Sequence, residues 1–77
     1  MIKNGDIIKF KREGSFYLYN PSRDLTWIVP DDMLLVLNID KEQRYFGRGA
    51  LLLKLGSNIM ITVLTDYVLS CSQIVAD

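Results

Sequence analysis

Short apolar segments, each stopped by a cluster of turn formers, set the limits on what this chain can fold into. Residues 7–11 alternate apolar and charged side chains with period two, the pattern of a half-buried strand. In that alternation Ile8 and Phe10 face a core, while Lys9 and Lys11 face water. After a break at Glu13, Gly14 and Ser15, residues 16–19 read as a short aromatic strand. Asn20, Pro21, Ser22, Arg23 and Asp24 form a dense turn cluster, with Pro21 presetting the first central turn residue. Residues 25–29 return from that turn and stop at Pro30, which cannot donate to a ladder. Residues 33–39 are the strongest strand in the chain. A polar loop over 40–44 and a glycine-marked stretch over 45–49 come next, and strands are expected at 50–55, 59–64 and 67–71. Gly47, Gly49 and Gly56 bracket the leucine-rich segment too closely for a normal helix. Ser72 is placed to cap a final helical turn over 72–75, and a short helix over 66–75 is the alternative there.

With 77 residues the chain makes one domain, spanning 1–77, and 49% apolar residues allow a real core. A domain this small buries about 60–65% of its unfolded surface, so disulfides, a metal or self-association commonly support it. A single cysteine and no histidine exclude an internal disulfide and a cysteine-cluster zinc site. Nine basic and nine acidic residues cancel, which argues against a disordered tail and against nucleic-acid binding driven by whole-chain charge. Cys71 has no histidine to activate it and reads as a small core or edge residue. Asp31 and Asp32 are adjacent and point opposite ways in extended chain. Asn38, Asp40 and Glu42 share the spacing of a calcium loop, but Gln43 and Gly49 stand where glycine and glutamate are needed. Gly47-Arg48-Gly49 lacks the ending of a phosphate loop. The expectation is a protein without enzyme activity, cofactor, metal or small-molecule substrate. Residues 1–6 lack the apolar region of a signal peptide, and the apolar runs at 33–37 and 50–53 are too short to span a bilayer. A cytoplasmic location with no membrane association is expected, and an unpaired Cys71 fits a reducing compartment.

Residues 2–10, in which a Gly5-Asp6 turn launches the first strand, resemble the opening of SH3-like barrels of the KOW or Tudor type. Residues 33–39 resemble the long second strand of that fold. Residues 59–64, the corner at Thr65 and Asp66, residues 67–71 and residues 72–75 resemble its last hairpin, one-turn helix and closing edge. Segments of this pattern are similar to those in small proteins of tailed phages, which implies a phage-encoded chain acting in host cytoplasm or virion. The resemblance implies an all-β fold: a single SH3-like barrel of about five strands, with an extra hairpin after strand 1 and a short helical turn near the C-terminus. Peptide-binding SH3 domains carry an alanine-leucine-tyrosine-aspartate-tyrosine stretch where this chain has residues 7–11, so recognition of proline-rich ligands is not implied. A fold of this kind hosts many functions and implies none by itself.

Two surfaces are candidates for binding. Alternation along 33–39 puts Met33, Leu35, Leu37 and Ile39 on one face and Leu34 and Val36 on the other. Similar alternation along 50–55 and 59–64 leads to an expected outer apolar patch of Leu34, Val36, Leu52, Met60 and Leu64. A patch of this sort marks an oligomer or partner interface, and a homo-oligomer is the first expectation. On the hairpin over 15–29, Tyr17, Tyr19 and Trp27 alternate with Phe16, Leu18 and Ile28. Facing outward, the first set suits a protein hot spot or a platform for single-stranded bases. Facing inward, Trp27 would plug the barrel mouth. Lys9, Lys11, Arg12 and Arg23 form a weak basic stripe that would serve the nucleic-acid alternative. Tyr45, Phe46 and Arg48, in a glycine-flexed loop, are a third set. The function these features point to is a non-catalytic protein-interaction or assembly module.

Overall fold

The turn signals divide the chain into β1 (Ile7–Phe10), β2 (Gly14–Leu18), β3 (Leu25–Ile28), β4 (Leu34–Ile39), β5 (Gly49–Lys54), β6 (Met60–Leu64), α1 (Thr65–Cys71) and β7 (Ser72–Ala76). The structure is a computed structural model that describes residues 1–20, 24–40 and 49–76. Every strand pairing is antiparallel, and the strands lie side by side in the order β3-β2-β6-β5-β4-β1-β7. The sheet curls into a half-barrel. Its concave side holds Ile8, Phe10, Ile28, Leu34, Val36, Ala50, Leu52, Ile61 and Val63, with Val68 of α1 packed among them. The all-β class is as expected. The described strands number seven, in an open half-barrel, where a barrel of about five was expected. The hairpin β2–β3 accounts for the difference, because it joins the same sheet by pairing Tyr17 with Thr62 and Leu18 with Ile61.

At the C-terminus the short-helix alternative holds over its first part: α1 covers residues 67–71, where a strand was the first expectation, and 72–76 form a strand where a helical turn was expected. Side-chain hydroxyls explain why. Thr65 Oγ1 donates to the Asp40 carbonyl at 2.8 Å, and Ser70 Oγ donates to the Asp66 carbonyl at 2.7 Å. Ser72 Oγ donates back to the Val68 carbonyl, so it closes the end of the helix and caps no new one. The helical turn keeps Val68 fully buried and sets the Tyr67 ring edge-to-face against Phe10 and Phe16. From there the chain is delivered to β1, where Lys11 N–H bonds the Cys71 carbonyl at 2.8 Å and Phe10 pairs with Ser72.

The turn before β1 fixes the register of β4. Gly5 has a φ of 93°, a conformation that residues with a Cβ rarely adopt. This lets Gly5 N–H bond the Val36 carbonyl at 2.8 Å, while Val36 N–H bonds the Asp6 carbonyl at 2.9 Å. The Asp6 carboxylate, largely buried, accepts the Lys3 backbone N–H at 2.9 Å and the Lys3 ammonium at 3.2 Å. The backbone hydrogen bond from Lys3 does most to hold the Asp6 carboxyl below its ordinary 3.8, against an opposing push from burial and with further help from the ammonium. A carboxyl more acidic in the folded state stabilises the fold above its unfolded pKa, and that contribution fades as pH falls through the folded value. Stability is therefore expected to begin falling as pH drops towards 3.8 and to keep falling below it. Asp6→Asn should remove this part of the acid slope, read from denaturant midpoints at several pH values. An unchanged slope in the variant would show that Asp6 does not carry it.

Candidate functional site

The convex side of the sheet is the candidate site, and the strand registers decide which residues occupy it. Leu34 pairs with Lys54, Val36 with Leu52, and Leu52 with Ile61. That row belongs to the concave side, where Leu34 is 0%, Val36 1% and Leu52 0% exposed. The outer patch expected from Leu34, Val36, Leu52, Met60 and Leu64 is therefore corrected at its first three members, which are core. Both faces of residues 33–39 are apolar, so alternation alone could not say which face is inside. The clip at Gly5 and Asp6 settles it by drawing Val36 beneath the first turn.

Met60 and Leu64 do face outward, in other company than the sequence suggested. Leu35 pairs with Leu53, Leu53 with Met60, and Tyr19 N–H bonds the Met60 carbonyl at 2.9 Å. The next row runs from Leu51 to Thr62, from Thr62 to Tyr17 and from Tyr17 to Leu25. Met33 and Leu55 extend the face at one end, joined by a hydrogen bond from Leu55 N–H to the Met33 carbonyl at 2.9 Å. Leu37, at the register shift between Val36 and Asn38, is exposed on the same face as Leu35. The convex face is thus mainly apolar from β4 across to β3, with Asn38 and the buried Thr62 as polar members of the row.

The hairpin shows the expected alternation. Ile28 is buried and Phe16 and Leu18 pack on the core, while Tyr17 is half-buried and Tyr19 and Trp27 are exposed. Trp27, 54% exposed, does not plug the barrel mouth. Sequence reasoning missed Leu25, which is 60% exposed and shares Trp27's face. Its place two residues before Trp27 was the available signal. Among the basic residues, Lys9 is half-buried on β1, and Lys11 and Arg12 are exposed just after it. Three strands, β6, β5 and β4, lie between β1 and the aromatic hairpin along the ladder, and the curl brings Phe10, next to Lys9, to 4.8 Å from Phe16 of the hairpin. Arg23, Tyr45, Phe46 and Arg48 lie outside the described residues.

The seam between β2 and β6 opens beyond the Tyr17–Thr62 pair. It leaves a cleft of about 180 Å³ lined by Ser15, Phe16, Tyr17, Thr62, Val63, Leu64 and Tyr67. Thr62 Oγ1 is buried beside it with no hydrogen-bond partner among the described residues, a standing cost to the fold. Burial, first of all, raises the Tyr67 hydroxyl pKa above its ordinary 10.0. What this surface offers chemically is burial of apolar area. Among the described residues no group of three metal-ligating side chains forms, and no helix is long and apolar enough to cross a membrane. Comparison with protein-family models, with curated proteins and with solved structures finds no match to the chain.

Proposed function

We propose that this chain is a non-catalytic assembly module of the small SH3-like barrel type, which self-associates by burying its convex apolar face. The strand run β7-β1-β4-β5-β6, with α1 between β6 and β7, supports the SH3-like reading. The hairpin β2–β3 is then the insertion after the first strand. The observation that carries the functional reading is the outward display of Met33, Leu37, Leu55, Met60, Leu64 and the hairpin residues Tyr19, Leu25 and Trp27. Together these expose on the order of 600 Å² of largely apolar surface, the top of the range for a monomer and near the ~800 Å² per partner of a stable interface. The single-strand nucleic-acid alternative draws less support, because nine basic and nine acidic residues cancel over the chain.

Light scattering coupled to size exclusion over a hundredfold concentration range tests the reading, with a concentration-dependent oligomer expected. Met60→Glu, on the exposed face, is expected to keep its β-sheet circular dichroism and weaken association by about a hundredfold, the effect of burying an unpaired carboxylate. A wild-type chain that stays monomeric throughout would overturn self-association.

A further inference from the structure

Asn4-Gly5 is the only asparagine–glycine step in the chain. With no Cβ on Gly5, the backbone nitrogen that follows Asn4 is sterically open to the Asn4 side-chain amide. Both residues are exposed, and nothing beyond the chain neighbours lies within 4 Å of where a Cβ on Gly5 would stand. Packing therefore does not cover this step; hydrogen bonds to β4 do. Gly5 N–H donates to the Val36 carbonyl at 2.8 Å, and Asn4 Oδ1 accepts the Ile39 N–H at 2.8 Å. Asn4 Nδ2 donates to Asn38 Oδ1 at 3.4 Å. The two groups that would react with each other are thus both held by β4, through different residues of that strand.

We infer that Asn4-Gly5 is a self-modification site, a deamidation step that the clip to β4 holds shut and whose products loosen the clip. The Gly5 nitrogen attacks Asn4 Cγ, the new N–Cγ bond closes a succinimide ring, and the side-chain nitrogen leaves as ammonia, taking the Gly5 proton with it. Water then opens the ring. Cleavage at the side-chain carbonyl leaves aspartate, and cleavage at the backbone carbonyl leaves isoaspartate. The net exchange is one water taken up for one ammonia released, with no oxidant or further reagent. Neither reacting group can act from within the clip. The Gly5 proton is committed to Val36, and the Asn4 amide must leave Ile39 to turn onto the Gly5 nitrogen. The rate in the folded chain therefore follows the fraction of molecules whose clip is open. Isoaspartate routes the main chain through Cβ and Cγ, a longer path, so the bonds to Val36 and Ile39 no longer fit together. Aspartate removes the donor to Asn38 and adds a negative charge to the turn that already holds Asp6. Either product weakens the hold that sets the parity of β4. The reaction is internal to one chain and does not depend on self-association.

The test holds the full chain for days in mildly alkaline buffer, folded and in guanidinium chloride, and follows position 4 by peptide mapping, which separates asparagine, aspartate and isoaspartate. Modification is expected about a hundredfold more slowly in the folded chain, the ratio set by local opening of a surface turn. Asp6→Asn weakens the bonds from Lys3 that shape the turn, so it should raise the folded rate about tenfold and leave the unfolded rate alone. The modified chain, separated by ion exchange, should unfold at a lower denaturant midpoint than fresh chain. Asn4→Gln, whose longer side chain closes the ring far less readily, should keep its own midpoint over the same days. A folded rate equal to or above the unfolded rate would overturn the guarding role of the clip. A modified chain with the midpoint of fresh chain would overturn the loosening of β4, and that measurement needs no variant to fold.

Discussion

Leu52→Glu is expected to abolish the β-sheet circular dichroism signal and the cooperative unfolding transition, while Met60→Glu, on the neighbouring strand, keeps both. The two residues carry the same charge change and differ only in face. Leu52 is fully buried between Val36 on β4 and Ile61 on β6. None of these neighbours can pair a carboxylate, so the variant must bury an unpaired charge or protonate it at a cost of several kcal/mol. A domain of this length holds only about 4–12 kcal/mol of net stability, so that cost together with lost packing consumes most or all of it. Val36→Glu, in the same row and 1% exposed, is expected to behave alike. Far-ultraviolet dichroism and a urea titration of the three variants suffice. Native-like spectra for Leu52→Glu would mean that the convex and concave faces are interchanged, and the proposed interface would lose its residues.

The contrast between Leu52 and Met60 also marks where the sequence stops being informative. In β1 a lysine separates Ile8 from Phe10, so the inward face was legible, and both apolar residues are core. On the hairpin, the aromatic alternation correctly separated Phe16, Leu18 and Ile28 from Tyr19 and Trp27. In β4 and β5 nearly every position is apolar, and a one-residue choice of parity inverts the whole assignment. What breaks that tie is non-local: Gly5 and Asp6 bond Val36 across some thirty residues of chain. The C-terminal difference has a similar origin. Residues 67–71 suit a strand by composition, but Thr65 reaches the Asp40 carbonyl and Tyr67 finds two rings, and neither partner is near in sequence. The candidate site was therefore legible as an idea, an apolar face unaccounted for by one core, and legible by residue only at Met60, Leu64, Tyr19 and Trp27.

Phe10→Ala should produce the second large effect, a loss of about 3–5 kcal/mol on unfolding, read as a lowered denaturant midpoint. Its ring lies 4.8 Å from Phe16 and 5.3 Å from Tyr67, centroid to centroid, and Phe16 and Tyr67 are 5.5 Å apart. The three rings come from β1, β2 and α1, which are not sheet neighbours of one another. No backbone ladder joins β1 to β2; the three-residue link 11–13 and this aromatic triad hold the hairpin end of the sheet against the β1 end. Aromatic pairs add about 0.5–1.5 kcal/mol each beyond simple burial, and Phe10→Ala removes two at once, a tilted contact with Phe16 and an edge-to-face contact with Tyr67. Phe10→Leu keeps most of the volume and none of the ring geometry, so it should recover about half of the loss. If Phe10→Ala instead costs under about 1 kcal/mol, the triad does not hold the curl. The convex face would then be free to flatten, and any partner would meet a flexible sheet instead of a fixed arc.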